Sequence, residues 1–345
     1  MSSSDVEIAA LLWLDAHLQK RMKPLLRKVL ERASAQGGFV VGLLERIARG
    51  ELNVPEASDL ASQALDELSS PSSPHLETSQ RLLRMDARLC HLGSDCYLER
   101  VRRYFGSSPP SILYLLGDRG ILDRPSVAIL GSRNASEEAL RLARCVAGAV
   151  AHAHVVVSGY AKGIDTEAHL GALDAGGSTI AVLGYGLFHY RVKAVLRDHV
   201  DSLLAITAFA PTMPWHQGFA MSRNRLVMAL ADTVIVIQAH GKGGTLHAGI
   251  AALGKYKPSG ERKALGTRKA LQRKVPLVVV DWGMTDNPDY GGNRVLLEEG
   301  GIAAPPTADG ICRVVEQVSR GHLGDSIKVL GEVPKEPQPQ LPLSP

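Results

Sequence analysis

The chain is poor in aromatic residues, at 5% of its 345 residues. It also lacks an apolar run of the roughly 18 to 20 residues that spans a bilayer. Met1–Asp5 reads MSSSD, with no basic region ahead of an apolar stretch, so neither a signal peptide nor a membrane partner is expected. Cysteine is scarce. Cys90, Cys96, Cys145 and Cys312 form no disulfide framework, and Cys90 and Cys96 lack the C-x-x-C spacing of a zinc ribbon. A reducing, cytoplasmic setting follows as the expectation, with no metal and no cofactor. Net charge is small, since 39 basic side chains face 35 acidic ones for +4, too little by itself to argue for nucleic acid. What the chain has is 45% hydrophobic content, enough for a packed core, and a length that allows about two domains at roughly 150 residues each.

The positive charge is local. Between 255 and 274, Lys255, Lys257, Arg262, Lys263, Arg268, Lys269, Arg273 and Lys274 face only Glu261. Eight bases against one acid leave +7 in this window and −3 in the rest of the chain. Such a cluster is either the footprint of a polyanion site or a solvated loop.

Residues 5 to 68 read as helices. Ser4 and Glu7 have the spacing of a capping box, and Ile8, Leu11, Leu12, Leu14 and Leu18 build a broad apolar face. A second helix is expected near Leu25 to Ala33, stopped by Gly37 and Gly38. The two prolines of SSPSSP at 69–74 mark a linker, and a further helix is expected from Leu76 to about Tyr104. The expected layout is a helical region at 1–68, a linker and helix at 69–105, an α/β domain at 106–325 and a disordered Pro-rich tail at 326–345.

From Ser126 the pattern is α/β. Short β-branched runs at Val127–Leu130, Val155–Ser158, Thr179–Leu183, Leu203–Thr207, Thr233–Ile237 and Leu277–Val280 alternate with alanine-rich helical stretches. Continuous apolar strands imply burial on both faces, hence a mainly parallel sheet with helices on each side.

In such a sheet, ligands bind beyond the carboxyl ends of the strands, and the unusual residues fall there. After the first parallel strand come Gly131, Ser132 and Arg133, with Asn134 or Ser136 placed to cap the next helix. After the second come Ser158, Gly159, Lys162, Gly163 and Asp165. Phe219-Ala-Met-Ser-Arg223-Asn224-Arg225 opens the helix before the fifth strand. One arginine is expected to bury in a polar network and the other to face the ligand, with Phe219 or Trp215 available for stacking. The fifth strand runs into Lys242, Gly243, Gly244 and Thr245, which lack Walker A spacing and so argue against an ATPase. Together these loops place Arg133, Lys162, Arg223, Arg225 and Lys242 along one edge, a groove suited to a phosphate-rich backbone that the basic window could extend. Asp165 and His169 stand one helical turn apart, but no nucleophile or metal partner is spaced to join them, so no catalytic residue is expected.

SVAILGSRNAS, VVVSGYAKGIDTEAHLGAL, STIAVLGYGL, FAMSRNRLVMAL and GGNRVLLEEGG, in that order, resemble the DNA-processing protein A (DprA/Smf) family over roughly 106–304, and PPSILYLLGD at 109–118 is similar to its entry. The resemblance implies an extended Rossmann-like fold preceded by a small helical region. It further implies a non-enzymatic homodimer that binds single-stranded DNA and helps load a RecA-type recombinase in natural transformation or recombination. The family's GSR motif falls on Gly131, Ser132 and Arg133, and its SGLARGID motif on Ser158 to Asp165, with Tyr160 and Lys162 substituted. Its RNR motif falls on Arg223 to Arg225, its glycine/serine turn on Lys242 to Leu246, and its GN turn on Gly292 and Asn293. Neither a helix-hairpin-helix nor a winged helix is visible, the basic window resembles an insertion, and Gln238 stands where an acid is common. The alternatives are a nucleotide-binding sensor and a phosphoribohydrolase-like enzyme. The latter lacks the expected glutamate, since Thr245 is followed by Leu246, His247, Ala248 and Gly249.

Overall fold

The computed structural model describes residues 3–18, 23–35, 40–52, 54, 57–255, 274–283 and 287–321. The expected stop at Gly37 and Gly38, the basic window between Lys255 and Lys274, and the Pro-rich tail lie outside the described residues.

Five helices come first: α1 (Ser3–His17), α2 (Lys23–Ala35), α3 (Val40–Ala48), α4 (Ser58–Leu68) and α5 (Pro74–Arg84). The capping box does not form, because Ser4 already lies inside α1. The Glu7 carboxylate accepts instead from the N–H groups of Val40, at 2.8 Å, and Val41, so it caps α3, 33 residues away. The SSPSSP segment is a tight inter-helix turn. Ser73 caps α5 by accepting from the Leu76 N–H, and Pro74 occupies the first helical position, where its missing N–H costs nothing. Trp13, 2% exposed, donates its indole N–H to Glu67 Oε2 at 2.7 Å, while Glu67 Oε1 holds His75 Nδ1 at 2.6 Å and the Ser73 hydroxyl at 3.1 Å. One carboxylate thereby ties α1, α4 and the start of α5.

The single helix expected from Leu76 to Tyr104 is instead α5, an extended segment β1 (Arg88–His91) and α6 (Glu99–Phe105). Asp86 at φ 54° turns the chain out of α5, and β1 pairs antiparallel with β2 (Ile112–Gly117). The sheet therefore takes in residues upstream of the boundary expected at 106.

The remaining strands are β3 (Ser126–Leu130), β4 (Val155–Gly159), β5 (Thr179–Val182), β6 (Leu203–Thr207), β7 (Thr233–Val236), β8 (Leu277–Val280) and β9 (Ile302–Ala304). They form one sheet of order β1-β2-β6-β5-β4-β3-β7-β8-β9, parallel from β6 to β9 and antiparallel at β1 and β2. Both faces are covered. Val127, Ile129, Val156, Ile235 and Val278 pack with α7 (Glu137–Val150), α8 (Ile164–Asp174) and α12 (Ala308–Ser319). Ala128, Leu130, Val157, Val234 and Val279 point the other way, into a core shared with α9 (Phe219–Leu230), α10 (Gly244–Ala252) and the N-terminal helices. Alternate side chains of one strand thus serve two cores, which is why the strands read as unbroken apolar runs. α11 (Gly291–Glu298) lies between β8 and β9. Among the described residues no helix is long and apolar enough to cross a membrane.

Replacing Glu67 with Ala leaves the buried Trp13 indole N–H without its acceptor and is expected to cost about 1–3 kcal/mol. Glu67→Gln keeps an acceptor and should recover part of the loss, both read as shifts in Tm.

Candidate functional site

The strand order reverses at β3, which leads to β4 on one side and has β7 on the other. At this switch point the loops after β3 and β7 face each other. Ser132 N–H donates to Gln238 O at 2.8 Å, Thr245 Oγ1 donates to Gly131 O at 3.0 Å, and Ser132 Oγ lies 2.8 Å from His240 Nε2. Gln238 is fully buried; its Oε1 accepts from Ser136 N–H at 2.9 Å and its Nε2 donates to Asp289 O at 3.4 Å. An acidic residue could make the first bond but not the second. Asn293, 2% exposed, accepts from Ala239 N–H and donates to Ile237 O and Val280 O, so the GN turn of α11 locks the exits of β7 and β8.

Between these loops lies a cleft of about 720 Å³ lined by Arg133, Asn134, Lys242, Gly243, Gly244 and Thr245, with Gly131, Ser132 and Asn224 in its wall. A smaller hollow of about 270 Å³ adjoins it, with Arg133 and Arg223 common to both, and adds Lys162, Tyr160, Tyr185 and Trp215. The first turns of α9 and α10 carry no acidic residue, so their N-terminal dipoles add to the positive field. Asn224 Nδ2 donates to Gly244 O at 3.3 Å and couples those two helix starts.

Arg223 sits beneath this rim. It is 8% exposed; its Nη1 lies 3.5 Å from Asp165 Oδ2 and donates to Val182 O at 3.4 Å. Burial lifts the Asp165 carboxyl above the usual carboxylate value, with the Arg223 charge and the Ala161 N–H pulling it back. Gly159 is required here, because a Cβ would run into the Arg223 guanidinium, and Gly163, at φ 76°, would drive one into the Ser132 and Arg133 carbonyls. Both glycines therefore let β4 and its loop approach their neighbours, and neither lies in the lining of the cleft or its smaller neighbour. Ser158 is fully buried and donates to Ile129 O at 2.7 Å, also behind the cleft.

Of the residues expected to contact a ligand, Arg133, Lys162, Lys242, Gly243, Gly244 and Thr245 come together, and Arg225 and Phe219 do not join them. Arg225 places its guanidinium 4.5 Å above the Phe105 ring, lines with Phe105 a cavity on the other side of α9, and lines neither the cleft nor its smaller neighbour. Phe219 packs on Phe209, with ring centroids 4.7 Å apart, whereas Trp215, 55% exposed, stands in the hollow. Lys193 escaped the sequence reading because it follows no glycine turn. Its Nζ donates to Ala161 O and Thr166 Oγ1, both at 2.7 Å, which holds the loop that carries Lys162.

His240 and Asp289, which meet Ser132 in the fold, also escaped it, being distant in sequence. His240 Nδ1 lies 3.4 Å from Asp289 Oδ1, so the three side chains stand in the order used by serine hydrolases, with a hydrogen bond only between Ser132 and His240. Here the Ser132 hydroxyl also accepts from Asn134 N–H at 3.1 Å, and the Asp289 side chain is 57% exposed. The chain orders two loops across the switch point. The Asp165–His169 pair is likewise structural. Thr179 Oγ1 donates to Val156 O and therefore accepts from His169 Nδ1–H at 2.7 Å. Among the described residues, no group of three His, Cys, Asp or Glu gathers as metal ligands do.

A doubly wound sheet with a cationic cleft at its switch point defines the class: a Rossmann-like α/β protein. Residues 88–258 match the family described as DNA recombination-mediator protein A. The DNA processing protein DprA of Streptococcus pneumoniae is 34% identical over 155 residues, covering 44% of this chain and 54% of the relative, so the chain spans about half that relative's length. Among solved structures, DNA processing protein A of S. pneumoniae superposes with TM-score 0.56 at 22% identity, over 85% of this chain and 96% of that one. The Helicobacter pylori DNA processing protein A, described for its single-stranded DNA binding mode, gives 0.54 at 23% identity, over 69% and 97%.

Asp165→Ala leaves the Arg223 charge buried and unpaired, and the expected loss is about 3–5 kcal/mol. Asp165→Leu combined with Arg223→Met should cost less than either change alone, as a double-mutant unfolding cycle would read.

His169 supplies a pH test. Full burial, with the Lys193 and Arg223 charges, holds its imidazole down to about 3, against an ordinary value of 6.5. As pH falls, the unfolded chain takes up the proton first. The stability contribution is full above about pH 6.5 and is lost progressively towards pH 3. Thermal unfolding of the wild type should decline more steeply across that window than that of His169→Asn, which keeps a donor for Thr179.

Proposed function

We propose that this chain is a single-stranded DNA-binding recombination mediator and that the cleft at the switch point receives the phosphate backbone. The observation that carries the reading is the placement of Arg133, Lys162 and Lys242 around one continuous depression. The one aspartate in its wall, Asp165, is already paired with Arg223. Cations on a rim, helix N-termini beneath it and exposed aromatic surface at Trp215 suit a backbone with splayed bases. The wide, open cleft suits a polymer better than a single mononucleotide. The family relationship of residues 88–258 supports the same reading, as does the single-stranded DNA binding mode described for the H. pylori protein. In this proposal the protein acts by binding rather than by chemistry, as a homodimer in the cytoplasm that hands its strand to a RecA-type recombinase.

A salt-titrated anisotropy assay with single-stranded and duplex oligonucleotides tests the proposal. Single strands should bind tighter, with little preference for sequence and with affinity falling linearly in log salt. Arg133→Ala, Lys162→Ala and Lys242→Ala should each reduce that slope by about 0.7, the value for one phosphate on a single strand, whereas Arg225→Ala leaves it unchanged. Trp215→Ala should cost about 1–3 kcal/mol without altering the slope, as lost base stacking does. Affinity insensitive to salt, or stronger binding of duplex, would overturn the assignment.

A further inference from the structure

Across α9 from the cleft, a second cavity of about 870 Å³ lies at the same carboxyl edge of the sheet. Its wall comes from the N-terminal helices as well as from the sheet. Leu12 and Asp15 enter from α1, Ile112 and Tyr114 from β2, and Leu183 and Phe209 from the loops after β5 and β6. α9 closes the remaining side with Arg223, Arg225 and Leu226, whereas Arg133, Lys162 and Lys242 take no part in the lining. Protein interiors hold few voids larger than a water molecule. Here the residues at the mouth are small. Ala16, Ser108 and Ser222 are exposed and Ala208 is half-buried, so the cavity opens to solvent between them.

Two lining side chains carry buried polar atoms with no hydrogen-bond partner among the described residues, Tyr114 Oη and Arg223 Nε. A phenylalanine would fill the Tyr114 position without burying an unsatisfied hydroxyl, so packing alone does not account for the tyrosine. Asp165 and the Val182 carbonyl engage Arg223 Nη1, which leaves Nε unexplained. An arginine nitrogen only donates. Full burial and the charge of Asp15 hold the Tyr114 phenol well above its ordinary value, so its hydroxyl keeps a proton to donate as well. Both atoms therefore call for acceptors. Water in the cavity can serve them in the free protein, and a ligand that displaces it must supply acceptors of its own. The Arg225 guanidinium adds positive charge to the α9 wall, and Asp15 is the one carboxylate in the lining against two arginines. Most of the remaining surface is apolar, with Leu18, Ile112, Leu183 and Leu226 all buried.

We infer that this cavity binds a small amphipathic carboxylate, a ligand with an apolar body and one acidic head. The head accepts from the donors of the α9 wall and from Tyr114, and the body covers the apolar surface of Leu183, Phe209 and Leu226. The volume falls within the roughly 300 to 1,000 Å³ of small-molecule sites, which form preferentially where two structural units meet. A bound ligand touches α1, the sheet and α9 at once, so it stabilises the docking of the helical region on the sheet.

Isothermal titration of the full chain with decanoate, 1-decanol and inorganic phosphate tests the inference. Decanoate should bind once per chain, decanol about tenfold or more weakly for want of charge-assisted hydrogen bonds, and phosphate should not compete. Tyr114→Phe should weaken decanoate about two- to tenfold while the Tm of the free protein stays the same or rises. A hydroxyl with a structural role would lower that Tm instead. Ala208→Trp fills the cavity and should abolish binding, and Ala16→Trp does so from α1 where the first variant folds poorly. Arg225→Ala should weaken decanoate and spare the salt slope for DNA, and Arg133→Ala should do the reverse, so failure here and failure of the cleft reading are told apart. No binding of decanoate, binding that survives both tryptophan variants, binding lost in Arg133→Ala, or equal binding of decanol overturns the inference.

Discussion

A buried guanidinium fixes the geometry of the cationic edge. Arg223 reaches from α9 beneath β4 and β5, and it lies in the walls of the cleft, of its smaller neighbour and of the cavity on the far side of α9. Its position is set by Asp165 from α8, by the Val182 carbonyl and by the missing side chain at Gly159. Taking such a charge out of water is costly unless its partners are in place, so the loops that carry Arg133 and Lys162 settle around it. The same placement keeps the one nearby carboxylate from opposing an anion in the cleft.

Neutral groups do the complementary work across the switch point. Gln238 and Asn293 are buried amides that each both accept and donate, and between them they hold the exits of β3, β7 and β8. Thr245 and Ser132 add hydroxyl bridges between the two facing loops. A cleft made by loops from opposite halves of a sheet would otherwise widen or close as those halves shift. A fixed width suits recognition of a regular backbone better than it suits a ligand that must be enclosed.

The six central parallel strands were legible because burial on both faces leaves continuous apolar runs, a signal that does not depend on distant partners. The edges were not. β1 is Arg-Leu-Cys-His, half of it exposed or partly so, and β9 is three residues long, too short for any periodicity. Glu7 carries the spacing of a local cap yet serves a helix 33 residues on, a choice made by tertiary packing alone. At the cleft, the glycine turns and the cations after the strands pointed to the edge where the depression lies. The split between Arg223 and Arg225 was visible as a necessity, but which arginine buried followed from Gly159 and Asp165. It is Arg223 that buries, and Arg225 turns to Phe105 instead of lining the cleft. His240 and Asp289 meet Ser132 only through the fold, so no spacing announced them.

The attachment of the basic window has its own consequence. α10 returns from the cleft to the opposite edge of the sheet, where Lys255 Nζ binds Glu299 at 2.9 Å and Val275 N–H donates to Ala252 O at 3.0 Å. Both ends of the window are therefore joined side by side, on the far edge from Arg133 and Lys242. The register of β7 and β8 is settled before and after the insertion, so its length is independent of the sheet. Loop-closure entropy changes by only about 0.6 kcal/mol for each doubling of such a segment. The architecture can therefore gain, lose or exchange a strongly basic appendage without redesigning the domain that carries it.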